Sequence, residues 1–257
     1  MPTVSVLIIT GFKKTAEMII EFLSREIYQS IFLDLPTDLT VFVRNYLEDE
    51  LHQEELWRNY VYLTGLQEPF VNALRYRMVP ILDFLPKLKD NIPGLKVYCY
   101  QDIDCHLENS RISERLLLLE TGELVRRDIR IEEWRELLWD EVKLSLEELP
   151  SIVENISEDA EKHSRNIILY GGFIKPFKDC MEAKGFMLEP IFFHFYWRSP
   201  IDVLRTIISV KGLDAVSDEV ILNCVKGQLK YLDYVPLSED IDVAHQKWTS
   251  ETRPNVP

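Results

Sequence analysis

The chain has 257 residues, of which 46% are hydrophobic and 28% are charged, so it can bury a sizeable core and is not a disordered protein. Acidic residues (43) outnumber lysines and arginines (29), which gives a formal net charge of -14 at pH 7. A field of this sign repels phosphate backbones and anionic lipid headgroups, so we expect neither nucleic acid nor a membrane surface as a partner. A basic pocket within one cleft is still compatible with this charge.

The four cysteines favour a reducing compartment. Cys99, Cys105, Cys180 and Cys224 are scattered along the chain, without the spacing of a metal site or of a disulfide framework. The apolar run near the N-terminus is too short to span a membrane and lacks the basic start that is typical of a signal peptide. We therefore expect a cytoplasmic protein.

The first 40 residues predict a βαβ unit. Residues 4–10 form an apolar, β-branched run that ends at Gly11, and apolar residues follow at helical spacing as far as Leu23. A second apolar run, residues 30–35, comes next and ends in polar residues and prolines. A strand, a helix and a strand in this order favour a parallel sheet.

Two long helical segments are predicted around the third strand, which is expected at residues 95–100. Residues 40–92 favour helix. Four prolines are expected to break this segment: Pro69, Pro80, Pro86 and Pro93. Residues 107–164 are charged and carry apolar residues every three or four positions along one face, and Pro150 is expected to split them into two helices.

Two more strands complete the predicted sheet. Residues 166–170 form a continuous apolar run, as in a strand that is covered on both faces. Residues 188–197 predict an aromatic-rich strand that contains His194, which we expect to be a core or interface histidine. Further helices are expected at residues 177–184 and within 200–234.

Together these elements predict an α/β fold. We expect a mostly parallel central sheet that is flanked by helices, with long helical insertions at residues 40–92 and 107–164. Residues 1–238 are predicted to form a single domain, and residues 239–257 a polar C-terminal tail.

One short pattern occurs twice. The first strand leads into Gly-Phe-Lys-Lys at residues 11–14, and the fourth leads into Gly-Phe-Ile-Lys at residues 172–175. Each lysine is predicted to lie in the first turn of a helix beyond the carboxyl end of a strand, where α/β sheets bind ligands. The alternative is that both lysines are merely solvated. The residues that we expect to bind a small anionic molecule are Gly11, Lys14, Gly172 and Lys175.

The order of these pieces resembles the TraB/Tiki superfamily, which includes proteins similar to ChaN and to erythromycin esterase. In that family a strand leads to Gly-x-x-His, a second strand ends in a carboxylate, a third leads to an acidic stretch, and a later strand leads to a second Gly-x-x-His. The matching positions here are residues 11–14, Asp34, residues 100–104 and residues 172–175. The resemblance covers residues 4–190 in pattern rather than in identity.

Both family histidines are lysines in this chain, which is a large departure from the family pattern. A neutral imidazole can bind a metal, whereas a lysine is normally an ammonium group without a free lone pair. The resemblance therefore implies a TraB/Tiki-like core that has lost its metal ligands, holds no cofactor and binds an anion, with or without catalysis.

The sequence DIDCH at residues 102–106 allows three interpretations. Asp102 or Asp104 can cap a helix or end a strand, which is a favoured role for aspartate. Either carboxylate can instead orient a ligand beside Asp34, or pair with a lysine of the repeated turns. The minority interpretation is a divalent metal site, and with it a metal-dependent hydrolase that uses Asp34, Asp102, Asp104 and His106.

The third hypothesis is a non-catalytic protein that binds a partner, or a second copy of itself, through the helical insertions. These insertions contain aromatic side chains of the kind found in interface hot spots: Trp57, Tyr60, Trp134 and Trp139. Burial within the helix packing is the alternative fate of these residues.

Overall fold

The computed structural model describes residues 3–126, 128–193 and 198–252. The strands within these ranges are β1 (Thr3–Ile8), β2 (Ser30–Pro36), β3 (Lys96–Gln101), β4 (Arg165–Tyr170) and β5 (Met187–Ile191). They form one sheet in the order β3-β2-β4-β1-β5, in which every neighbouring pair is parallel. The predicted α/β class, with a parallel sheet flanked by helices, is confirmed.

Helices connect the strands and fill the predicted insertions. Those in the described ranges are α1 (Lys13–Leu23), α2 (Thr40–Leu47), α3 (Gln53–Thr64), α4 (Glu68–Asn91), α5 (Ile103–Arg126), α6 (Ile131–Glu147), α7 (Leu149–Ala160), α8 (Ile174–Ala183), α9 (Pro200–Lys211), α10 (Asp218–Leu232) and α11 (Ile241–Thr252). Short 3-10 turns lie at Thr37–Leu39, Leu213–Ala215 and Val235–Leu237.

Helix α4 continues through two prolines that were expected to break it, so that prediction is wrong at Pro80 and Pro86. Each of them lacks the N–H of an intrahelical hydrogen bond. Pro69 lies in the first turn of α4 and Pro93 lies beyond its end, where proline is tolerated. Core packing offsets the lost hydrogen bonds through a row of buried side chains: Val71, Leu74, Met78, Ile81, Leu82, Leu85 and Leu88.

The predicted break at Pro150 is confirmed, because this proline lies at the start of α7, directly after α6. Residues 107–164 contain a second break, between α5 and α6, so they form three helices rather than two. Glu123, which is 1% exposed, holds that turn. Its carboxylate accepts hydrogen bonds from the Arg130 backbone N–H at 2.8 Å and from Trp134 Nε1 at 2.6 Å.

Helices cover both faces of the sheet, as the continuous apolar strands predict. Odd-numbered strand residues such as Leu33 and Leu169 share a core with buried residues of α1 and α4. Even-numbered residues point to the opposite face, where the ring of Tyr170 stacks on Phe177 of α8 with 4.2 Å between the centroids. Helix α7 packs against α8. Helices α1 and α8 therefore lie on opposite faces of the sheet.

The chain divides into two compact units. The first contains the sheet and comprises Met1–Glu108 and Glu147–Phe193, and the second comprises Asn109–Leu146 and His194–Pro257. A compact unit does not have to fold alone, so the single domain over residues 1–238 stays a prediction.

The C-terminal part of the chain differs in detail from its predicted elements. Strand β5 ends at Ile191, and His194 with the rest of 194–197 lies outside the described residues. The stretch predicted as a polar tail, residues 239–257, includes helix α11. Three side chains of that helix are buried: Ala244, His245 and Trp248.

Candidate functional site

The carboxyl ends of the five parallel strands lie at one edge of the sheet, which is the edge where open α/β sheets bind ligands. The two Gly-Phe-x-Lys turns follow β1 and β4, which are neighbours and pair Ile8 with Tyr170. Lys14 lies in the first turn of α1, and Lys175 in the first turn of α8. The two turns are therefore adjacent along the edge, on opposite faces of the sheet.

Both lysine side chains are exposed. Lys14 Nζ lies 3.0 Å from the carboxylate of Glu17 on its own helix. Glu17 is one turn from Lys14, and such neighbours meet on a helix surface. The nearby carboxylate of Asp34 pairs with Arg77.

Asp34 is the buried carboxylate of this edge. It lies near the end of β2 and is 6% exposed. Its Oδ1 accepts hydrogen bonds from the Tyr100 hydroxyl at 2.9 Å and from Gln101 Nε2 at 2.6 Å. Its Oδ2 lies 3.6 Å from Arg77 Nη2. These partners compensate for the desolvation that an isolated buried carboxylate would suffer.

Glycines let the turn after β4 approach these buried groups. A Cβ on Gly171 would lie 3.0 Å from Oδ2 of Asp34, and a Cβ on Gly172 would lie 2.5 Å from the hydroxyl oxygen of Tyr170. A Cβ on Gly11, the matching glycine after β1, would meet nothing within 4 Å. Only the second copy of the turn therefore depends on glycine for space.

A chain of hydrogen bonds runs from helix α3 to Asp34. Gln101 donates from Nε2 to Asp34, and its Oε1 lies 2.6 Å from His106 Nδ1. Because a carbonyl oxygen only accepts, Nδ1 carries the proton, and Nε2 accepts from the Tyr60 hydroxyl at 2.8 Å. The donors therefore follow one direction, from Tyr60 through His106 and Gln101 to Asp34. We call these four side chains the Asp34 network.

Burial keeps the Asp34 network in this protonation state. Desolvation lowers the pKa of His106 from 6.5 to about 4, while the Asp34 carboxylate raises it and Arg77 lowers it further. Desolvation also raises the pKa of Tyr60 to about 12, against the opposing effect of Arg77. At neutral pH the imidazole is therefore uncharged and the phenol keeps its proton.

Asp102 caps helix α5. Strand β3 ends at Gln101, and Oδ1 of Asp102 accepts hydrogen bonds from the backbone N–H groups of Asp104 and Cys105, both at 3.0 Å. This is the capping role that the sequence allows for the aspartates of residues 102–106. The side chain of Asp104 is exposed in the first turn of α5.

The four residues of the metal interpretation therefore have separate roles. Asp34 and His106 are joined through Gln101, Asp102 holds backbone N–H groups, and Asp104 faces solvent. Among the residues that the structure describes, no group of three or more His, Cys, Asp or Glu side chains could hold a metal ion.

Sequence reasoning missed most of the partners of Asp34. The sequence marks Gln101 only as the end of a strand, and Arg77 only as one of two arginines in a helical turn. The available signal was a carboxylate near the end of one predicted strand and polar residues at the end of another. Adjacent parallel strands bring such ends together.

Most of the aromatics considered for an interface are core residues. Trp57 and Tyr60 are each 2% exposed and Trp134 is fully buried, whereas Trp139 is partly exposed. Their large apolar surfaces are removed from water within the chain.

No protein-family model, curated protein or solved structure matches this chain. The helices that the structure describes include none that is long and apolar enough to cross a membrane. All four cysteines are free thiols.

Proposed function

We propose that this protein binds a small anionic molecule at the carboxyl edge of its sheet, between the turns that follow β1 and β4. One observation carries the proposal: two neighbouring strands end at this edge, and each leads into a helix with a lysine in its first turn. Backbone N–H groups at a helix N-terminus favour a phosphate or carboxylate, and each ammonium group adds a full positive charge.

Arg77 supports the proposal as a third cation close to this edge. Its guanidinium is held beside Asp34, which reaches the turn after β4 next to Gly171. The Arg77 side chain is 28% exposed, and its Nε is buried without an acceptor among the described residues. An anion at the edge would give this donor a partner.

The pairing of Lys14 with Glu17 does not oppose ligand binding. The two side chains are 58% and 50% exposed, and an ion pair on a helix surface contributes little to stability. An incoming phosphate can therefore replace the Glu17 carboxylate at small cost.

In this proposal the chain is a TraB/Tiki-like core in which lysines stand at the histidine positions. It requires no metal, and it acts in the cytoplasm, where its free thiols stay reduced. Metal-dependent hydrolysis is the competing function, and the same experiment distinguishes the two.

The test is a thermal-shift comparison of phosphate, pyrophosphate and citrate with divalent metal ions, because a ligand that binds only the folded state raises the melting temperature. We expect pyrophosphate to stabilise the wild type and to lose its effect in the double variant Lys14→Met, Lys175→Met. The matched control is Lys96→Met, Lys162→Met, at the amino edge of the sheet. The control is matched because, in the wild type, Lys162 pairs with Asp159 three residues earlier and Lys14 pairs with Glu17 three residues later.

Three results would count against the proposal. They are the absence of any shift with anions, an equal shift in the Lys14 and Lys175 variant, and stabilisation by metal ions alone. The last result would favour the hydrolase.

A further inference from the structure

Residues of helices α3 and α4 and of the loop between them line an open pocket, which we call the α3–α4 pocket. Its volume is about 460 Å³, which lies within the usual range for small-molecule sites, about 300–1,000 Å³. The apolar wall includes Trp57, Val61, Leu66 and Val71, and two arginines, Arg58 and Arg75, line it as well.

Two side chains of this pocket carry buried hydrogen-bond donors that lack an acceptor. They are Nε1 of Trp57, whose side chain is 2% exposed, and Nε of Arg75, and neither has a partner among the described residues. The guanidinium carbon of Arg75 lies 5.3 Å from the centroid of the Trp57 ring, so the two donors belong to neighbouring side chains. A buried N–H without an acceptor is costly, and a ligand oxygen would remove that cost.

The lining of the α3–α4 pocket contains more basic than acidic side chains. Arg58 and Arg75 line it together with one carboxylate, Glu68. Arg75 pairs with Glu54, whose side chain is 70% exposed, and Arg58 has no ion-pair partner in the described part of the chain. Arg58 is therefore a cation at the pocket with which an anionic group on the ligand can pair.

We infer that the α3–α4 pocket is a second ligand site, for a small molecule that combines an apolar ring or chain with one carboxylate. The apolar part packs against Trp57, Val61 and Leu66, and the carboxylate accepts hydrogen bonds from Arg75 and the Trp57 indole. Arginine suits this role because its guanidinium binds carboxylates through paired donors. This site shares no residue with the Gly-Phe-x-Lys turns, so the inference goes beyond the function proposed above.

The experiment is calorimetric titration of the full chain with naphthylacetate and with its neutral analogue naphthylethanol. We expect naphthylacetate to bind in one-to-one stoichiometry, and the neutral compound to bind more weakly by about tenfold or more, because it forms no charged hydrogen bond. Absence of naphthylacetate binding at millimolar concentration would overturn the inference. Equal affinity for the two compounds would overturn the assignment of the carboxylate.

Two variants locate the binding. Val61→Trp fills the pocket from a position that is already 40% exposed, so it should abolish binding without disturbing the core. Arg75→Met keeps the apolar stem and should weaken binding by about tenfold, because it removes the charged donors. Circular dichroism and the melting temperature confirm that each variant is folded, and the Arg75 variant alone suffices if the tryptophan variant does not fold.

Two controls separate binding in this pocket from binding elsewhere on the chain. Arg25 is an exposed arginine that pairs with a glutamate, as Arg75 does. The Arg25→Met variant should bind naphthylacetate as the wild type does. The Lys14 and Lys175 double variant should also bind naphthylacetate normally, so failure of one site is distinguishable from failure of the other. Unchanged binding in both the Val61 and Arg75 variants would place the compound outside the pocket and contradict the inference.

Discussion

His106 lies one helical turn beyond the end of β3, and this position determines its chemistry. Its Nδ1 donates to Gln101 and its Nε2 accepts from Tyr60, so both ring nitrogens are occupied. A histidine that is buried and bonded in this way neither gains a proton near neutral pH nor offers a lone pair to a metal. It connects α5 with α3 and holds Gln101 against Asp34.

The stability of the protein should fall as the pH is lowered below 6.5. The pKa of His106 is about 4 in the folded chain and 6.5 at its ordinary value. Between these values the unfolded chain binds a proton that the folded chain does not bind, which favours unfolding. From pH 7 to pH 5 this residue should cost about 2 kcal/mol, measured by urea unfolding at both pH values.

Two variants test whether His106 causes that loss. His106→Gln should be less stable at pH 7, yet it should lose about 2 kcal/mol less than the wild type on going to pH 5. His52→Gln changes an exposed histidine and should follow the wild type. Equal losses in the wild type and in His106→Gln would show that the ring is not held in its neutral form.

The matching glycines of the two Gly-Phe-x-Lys turns should differ in their response to alanine. Gly172→Ala places a Cβ against Tyr170, whose ring is fixed by stacking on Phe177, and overpacking of this kind costs about 1–3 kcal/mol. Gly11→Ala meets no neighbouring atom within 4 Å, so its effect should stay within about 0.5 kcal/mol. Urea unfolding compares the two variants, and similar stabilities would mean that Tyr170 can move aside.

At the scale of elements, the junction of β3 and α5 depends on one capping side chain. Asp102→Ala should cost about 1 kcal/mol, because two N–H groups of the first turn lose their acceptor. Asp104→Ala changes an exposed carboxylate and should cost less than about 0.5 kcal/mol. Thermal unfolding of both variants measures the difference. A larger loss for Asp104 would contradict the assignment of the cap.

The first four strands could be predicted from the sequence because each contains a short apolar run next to a turn, whereas β5 is shorter than the predicted strand at residues 188–197. Residues 30–35, for example, were expected as a strand and form β2, Ser30–Pro36. The breaks within α4 were wrong at Pro80 and Pro86, because local proline rules do not include the buried packing that holds the helix together.

The lysines of the repeated turns could be located from the sequence, whereas the Asp34 network could not. Tyr60 and His106 are 46 residues apart, and Asp34 and Gln101 are 67 apart. The pairing of β2 with β3 brings Asp34 and Gln101 together, and the contact of α3 with the first turn of α5 brings Tyr60 to His106. Periodicity within short windows contains no signal for contacts over such separations.

At the scale of the whole molecule, the excess of acidic residues should make stability sensitive to salt. A formal net charge of -14 produces self-repulsion in the compact state, and salt screens such repulsion beyond about 8 Å at physiological ionic strength. The melting temperature should therefore rise when sodium chloride is added to a low-salt buffer. A fall would mean that the surface ion pairs, such as Arg165 with Glu26, outweigh the repulsion.

The most direct test of the central claim is the affinity of the wild type for pyrophosphate, measured by calorimetry and compared with that of Lys14→Met, Lys175→Met. If the edge between β1 and β4 binds anions, the wild type should bind one pyrophosphate, and the double variant should lose about 100-fold or more in affinity. The Lys96 and Lys162 control should keep the wild-type affinity. Equal affinity in all three proteins, or no binding to the wild type, would contradict the account.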